Sequence, residues 1–146
     1  MRISQVGIDL IKHFEGLRLE PYQDSIGRWT IGYGHTGEGV ENLGKITEEA
    51  AEFLLRQDLE RFEDGVTGLL AYDVEQNEFD ALVSLAFNIG LKNFENSTLL
   101  KMINDGDQTI ETESQQFLRW NHAGGHVLPG LTNRREAEAA LFRGAK

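Results

Sequence analysis

The chain of 146 residues contains no cysteine. No disulfide can form, so folding makes no demand on an oxidising compartment. There are two prolines and no low-complexity run, which excludes a long disordered linker. No apolar stretch approaches the roughly 20 residues of a membrane span. The N-terminal run from Met1 to Asp9 also lacks the continuous apolar core of a secretory signal. The sequence therefore predicts accumulation in the cytoplasm without a stable membrane anchor. A substrate beyond the membrane would need a separate agent to grant access. Positive charge is scarce as well: 14 Lys and Arg stand against 24 Asp and Glu, for a net charge of −10. That balance argues against nucleic acid as the main partner, because phosphate binding needs a basic face.

What is present suffices for one domain with a real core, or one domain of two lobes. Hydrophobic residues make up 40% of the chain, an ordinary globular value. The charge is unevenly spread. Residues 47–78 hold ten acids against two bases, whereas residues 117–146 hold five bases against two acids. The acidic stretch reads as a solvated helix face. The basic C-terminal part is the place to look for contact with an anionic polymer.

Apolar spacing at Ile3, Val6, Leu10, Ile11 and Phe14 predicts a helix over 3–15, with Ser4 as N-cap and Gly16 as stop. A strand at 17–23, a turn at Asp24-Ser-Ile-Gly27 and a strand at 28–33 follow. Alternation sets Trp29, Ile31 and Tyr33 on one face and Arg28, Thr30 and Gly32 on the other. The glycine-rich stretch 34–44 reads as a loop or a frayed third strand. From Thr47 onward the pattern is helical. One helix runs to about Phe62, with acids in its first turn. A second opens on the capping-box pattern Asp73-Val-Glu-Gln76 and runs through Phe79–Phe87 to Gly90. It is apolar nearly all round, as a buried central helix is. Ser97 caps a short helix ending near Gly106, and another spans Thr112–Ala123, stopped by Gly124-Gly125. Leu128-Pro-Gly-Leu131 reads as a turn, and Thr132 as the cap of the last helix. No internal repeat is seen.

Two acids and a hydroxyl stand out. Acids are so common here that Glu15 and Asp24, nine apart, mean little alone. Glu15, however, closes its helix, where the dipole disfavours negative charge. Local rules are most often broken at functional sites, and a carboxyl that favours its protonated form is what a general acid requires. Asp24 opens a turn, a common place for aspartate. That solvated setting keeps a carboxylate ionised, suiting it to act as base toward water or to stabilise an oxocarbenium-like transition state. Thr30 leaves the apolar face, and the hairpin brings its hydroxyl back toward Asp24, where the two can hold a water.

The order Glu15-x8-Asp24-x5-Thr30, followed by Gly32-Tyr-Gly-His35, resembles the catalytic signature of phage-type lysozymes, glycoside hydrolase family 24. The resemblance covers nearly the whole chain and is strongest over 13–35. It implies an α+β, predominantly helical, lysozyme-like fold with an active-site cleft between two lobes. The small β-hairpin lobe would take about 16–46, and the larger helical lobe 1–15 with 47–146. It implies Glu15 as general acid, Asp24 as second carboxylate and Thr30 as the water-positioning hydroxyl. Phe87 and Ser97, in Phe87-Asn-Ile-Gly90 and Phe94-Glu-Asn-Ser97, resemble family residues that line the sugar cleft. Their plain readings are core aromatic and helix cap. Asn133-Arg134 resembles the family's Asn-Arg, whose arginine lies near the catalytic glutamate. Two family cleft positions, at Thr36 and Ser114, are not retained.

The function so implied is that of an endolysin muramidase. It would be inverting, need no cofactor or metal, and act as a monomer on peptidoglycan glycan strands. It would wait in the host cytoplasm for a holin-type membrane lesion and then reach the periplasm and wall. The alternatives are a wall-binding module that does not cut, and a glycosidase for another glycan such as chitin. A partner-binding acidic helical protein rests only on residues 47–78.

Four further features carry plainer readings. Gly32-Tyr-Gly34-His-Thr-Gly37 matches a dinucleotide fingerprint, but more loop follows it where a helix is needed. His122 and His126 have two glycines between them and make a poor metal pair. His35 reads as a local hydrogen-bonding residue. Trp120, beside Phe117 and Leu118, reads as core more readily than as a sugar contact.

Overall fold

The computed structural model describes residues 1–144. These comprise two compact units: Ile11–Glu60, and Met1–Leu10 with the chain from Arg61 onward. The sequence boundaries at 16 and 46 fall at element ends, whereas the division by compactness falls within two helices. The architecture is mostly helical with small antiparallel sheets, the α+β class expected. Among the described residues no helix is long and apolar enough to cross a membrane.

Within the Ile11–Glu60 unit, the first helix, α1 (Gln5–Glu15), ends as expected. Gly16 takes φ 75 and donates its N–H to Lys12 O, a left-handed termination that glycine adopts without a Cβ penalty. Three strands follow, β1 (Arg18–Gln23), β2 (Trp29–Gly32) and β3 (His35–Thr36), in antiparallel order β1-β2-β3. The register pairs Tyr22 with Thr30 and Thr30 with Thr36, and an irregularity interrupts β1 between Arg18 and Tyr22. The expected alternation on β2 does not hold. Trp29 is exposed, while Thr30, Ile31, Gly32 and Tyr33 are all buried. The strand is covered on both faces, which removes the one-sided pattern. On Thr30's face the cover is a long helix, α2 (Glu48–Leu69), where Ala51 Cβ lies 3.3 Å from the place a Gly32 Cβ would occupy.

Thr47 caps α2 by accepting the Ala50 N–H at 3.1 Å. The helix runs past Phe62 to Leu69, because Phe62 and Val66 extend the buried stripe of Ala51, Leu55 and Leu59.

Beyond Arg61, the central helix α3 (Gln76–Ile89) buries every residue from Phe79 to Ala86. Its cap sits two residues later than the sequence pattern placed it. Glu75, not Asp73, is the N-cap, and the Glu78 carboxylate accepts the Glu75 N–H at 2.7 Å. The helices α4 (Leu91–Glu95), α5 (Thr98–Asp105) and α6 (Ile110–Gln115) follow. The helix expected over 112–123 is cut short, for α6 stops at Gln115. A 3₁₀ segment at Gln116–Trp120 leads into a hairpin of β4 (His122–Ala123) and β5 (His126–Val127). Gly124 and Gly125, both at positive φ, make its turn and are no helix stop. The last helix, α7 (Pro129–Phe142), begins at the proline that the sequence assigned to a turn. Proline suits the first helical position because the N–H it lacks has no intrahelical partner there. Helix α7 packs along α3, and Phe117 and Phe142 meet at 5.3 Å between ring centres.

Ser4 directly precedes α1, and its carbonyl accepts the Ile8 N–H at 3.0 Å, as an N-cap residue's does. Its N–H and its hydroxyl both go to the Asp80 carboxylate.

Candidate active site

Glu15 is the last residue of α1 and half-buried. Gly34, at φ 88, lies against it: a Cβ there would stand 3.2 Å from Glu15 Oε1. Only glycine leaves that space open while holding this backbone conformation.

Asp24 starts the β1–β2 turn, in which its carbonyl accepts the Gly27 N–H at 2.9 Å. Its Oδ1 accepts the N–H groups of Ile26 (3.0 Å) and Arg28 (2.8 Å), and Arg28 Nε donates to Oδ2 at 3.0 Å. The backbone hydrogen bond from Arg28 foremost holds this carboxyl below its ordinary value. The Arg28 side chain and the Ile26 N–H add to the effect, and partial desolvation opposes it.

Thr30 is 4% exposed and donates from Oγ1 to Arg28 O at 3.1 Å. The same carbonyl accepts the Asp24 N–H at 2.9 Å. Arg28 thus ties Asp24 and Thr30 together through its N–H, its guanidinium and its carbonyl. Sequence reasoning missed this residue, although an arginine four positions after a turn aspartate is a readable signal. With its proton given to Arg28, the Thr30 oxygen keeps lone pairs that can accept a hydrogen bond from water.

His35 is a hydrogen-bonding residue, but its partner lies 23 residues away and not in the local loop. Its Nδ1 lies 3.0 and 2.9 Å from the two Asp58 oxygens. Asp58 was invisible in the sequence, because nothing local links it to His35.

The remaining candidates lie in the other unit. Phe87 is half-buried and meets Phe62 edge-on at 5.2 Å. Ser97 is buried, accepting the Leu100 N–H at 3.1 Å and donating to Phe94 O at 2.7 Å. Its geometry is that of a helix cap. Arg134 is buried, with Nε 3.2 Å from Glu138 Oε2 and Nη2 3.3 Å from Ser84 O. Arg135 lies 3.0 Å from Glu138 Oε1 and donates to Asn88 at 2.6 Å. This buried ionic cluster went unread, although Arg-Arg-x-x-Glu is its i,i+3 and i,i+4 signature. Ser114 is buried against Glu111 O and Arg143. Among the described residues no group of three or more His, Cys, Asp or Glu could hold a metal ion.

The sequence model of the phage lysozyme family matches residues 12–138. The endolysin of Acyrthosiphon pisum secondary endosymbiont phage 1 is 47% identical over 99% of this chain and 100% of its own length. The endolysin of Bacillus phage B103 is 50% identical over 97% of the chain. The chain spans about half the length of the Bacillus phage endolysins it matches, 54% of the B103 protein and 55% of that from phage PZA. Among solved structures, a P22 lysozyme mutant superposes with a TM-score of 0.88 at 39% identity, covering 98% of this chain and 99% of that one. A family match over most of the length, joined to close relatives that align from end to end, shows that this chain belongs to the phage lysozyme family.

Proposed function

We propose that the chain is an endolysin muramidase. It hydrolyses the β-1,4 bond between N-acetylmuramic acid and N-acetylglucosamine in peptidoglycan and serves host-cell lysis. The observation that carries this reading is the contrast between two carboxylates of one compact unit. Glu15 ends α1, with Gly34 beside its carboxyl. Asp24 is held ionised by the Arg28 and Ile26 amides. A carboxyl at a helix end and a second carboxylate in a turn of the same unit are the equipment of an acid/base pair.

In the proposed reaction Glu15 protonates the leaving glycosidic oxygen. Asp24 takes a proton from a water that also donates to Thr30 Oγ1, and that water attacks the anomeric carbon from the opposite face. The carbon–oxygen bond breaks as the new one forms, and the product anomer is inverted. Phe87 and Ser97 remain candidates for sugar contact, and Arg134 and His35 for support. No cofactor enters the reaction. The protein acts as a monomer and reaches the wall after a holin-type lesion opens the membrane.

The test is clearing of purified Gram-negative peptidoglycan by the wild type beside Glu15→Gln, with mass spectrometry of the products and proton NMR of the newborn anomer. Fragments with reducing muramic acid ends from the wild type alone, released as the inverted anomer, are expected. If neither protein cuts while both sediment with the wall, the chain is a binding module and the mechanism fails.

A further inference from the structure

The two oxygens of Asp24 are held unequally. A carboxylate offers about two acceptor sites on each oxygen. Oδ1 spends both on amides of its own turn, Ile26 at 3.0 Å and Arg28 at 2.8 Å. Oδ2 has one partner among the described residues, Arg28 Nε at 3.0 Å. One acceptor site therefore stays open, and it lies on Oδ2. That is the site through which Asp24 can take a proton from water.

Two kinds of contact run from Arg28 to this pair, and they separate cleanly. Its N–H to Asp24 Oδ1 and its carbonyl to the Asp24 N–H and the Thr30 hydroxyl are backbone contacts. Any residue except proline supplies them. What the arginine side chain adds is the Nε donor and a positive charge, both favouring the ionised carboxyl. Glu41 is the acid that shares a cavity wall with Arg28. The Arg28 side chain is 64% exposed, and an ion pair so open to water contributes little to stability. Folding alone therefore does not account for a guanidinium placed on the oxygen that has to act.

We propose that the Arg28 side chain is a positioning residue for the water-activating step. By occupying one site of Oδ2 it fixes the rotation of the carboxylate and leaves a single site aimed at the water shared with Thr30. The catalytic meaning of this hold rests on the muramidase reading; the hold itself does not.

The test replaces Arg28 with two side chains of matched reach. Arg28→Gln sets a neutral N–H donor as many bonds from Cα as Nε is, and Arg28→Met sets a methyl group there. On soluble peptidoglycan fragments, kcat is expected to fall about three- to tenfold in Arg28→Met and by less in Arg28→Gln, with KM unchanged. Both variants are expected to keep Tm within about 2 °C of the wild type, as loss of an exposed pair implies. Carbon NMR titration of the Asp24 carboxyl is expected to show a raised midpoint in both, because both lose the charge. Asp24 acts only when ionised, so the acid limb of the kcat/KM profile is expected to move up in pH with that midpoint while the alkaline limb stays. Equal kcat in the three proteins overturns the proposal. So does an Arg28→Gln no more active than Arg28→Met, or a rise in KM at unchanged kcat, which would make the guanidinium a substrate contact. A large loss of Tm assigns the side chain to folding and overturns it too. An Asp24 midpoint that does not move overturns the hold itself. A wild type that cuts no peptidoglycan defeats the muramidase reading and the catalytic meaning with it, while the NMR titration still decides the hold.

Discussion

The Arg28 carbonyl accepts both the Asp24 N–H and the Thr30 hydroxyl, so the proposed water-activating pair is aligned by short-range contacts within one hairpin. Glu15 carries a different constraint, the space kept open at Gly34. Gly34→Ala places a Cβ 3.2 Å from Glu15 Oε1 and forces a left-handed backbone on alanine, at about 1 kcal/mol or more. Displacing a catalytic group by a fraction of an ångström is costly to rate. Peptidoglycan turnover by this variant is expected to fall between about tenfold and a hundredfold, more than its lowered Tm explains at assay temperature. Parallel turnover and calorimetric measurements check this.

A second prediction concerns Glu113, a buried carboxyl pushed up by burial foremost and then by the Glu78 charge. The folded state holds this proton more tightly than the unfolded chain does. The cost to stability is therefore absent below the ordinary glutamate value of about 4.3. It grows as pH rises and is complete above the folded-state value. Glu113→Gln is expected to raise Tm near pH 7 and to leave it unchanged near pH 4. Calorimetry at both pH values decides it, and an equal shift at the two would assign the gain to packing.

At the scale of elements, termini were legible where the signal was a single residue of special geometry. Gly16, Gly90 and Gly106 all stand at positive φ at helix ends, and Ser97 caps α5. Ser97→Ala is expected to cost about 1 kcal/mol, the usual loss of an N-cap, and to lower Tm by about 2–4 °C, readable by thermal denaturation. Misreadings came where one motif serves two geometries. Gly124-Gly125 is as good a hairpin turn as a helix stop, and the pairing of His122 with Val127 settles which it is. Leu128-Pro-Gly reads as a turn, yet proline at the first position of α7 is equally sound locally. On β2, alternation failed because Gly32 lies against Ala51 from a distant helix. Strand pattern reports burial on one face only when the other is wet.

For the molecule as a whole, the excess of acid is the dominant electrostatic fact. Net charge is −10 and residues 47–78 carry ten acids against two bases. Peptidoglycan, the proposed substrate, is itself anionic, so approach is opposed at long range. Lytic rate is expected to rise as salt climbs from very low to about 0.15 M, where the screening length is roughly 8 Å. A rate that falls across the same interval would show that local cationic contacts outweigh the net charge. Residues 117–146, five bases against two acids, are where those contacts would lie. Turbidity clearing across a salt series measures the effect.

The catalytic candidates Glu15, Asp24 and Thr30 were readable in the linear order of residues, because a helix end, a turn and a strand are local objects governed by near neighbours. So were the α+β class and the helical majority, which follow from the period of the apolar residues. Partners far apart in sequence were not readable. His35 with Asp58, Ser4 with Asp80, and Glu138 with Ser84 meet only after the chain has folded back on itself. The same holds for Thr30, buried although polar, and Trp29, exposed although apolar. Which side chain water reaches depends on what packs over it, and that is a property of tertiary structure alone.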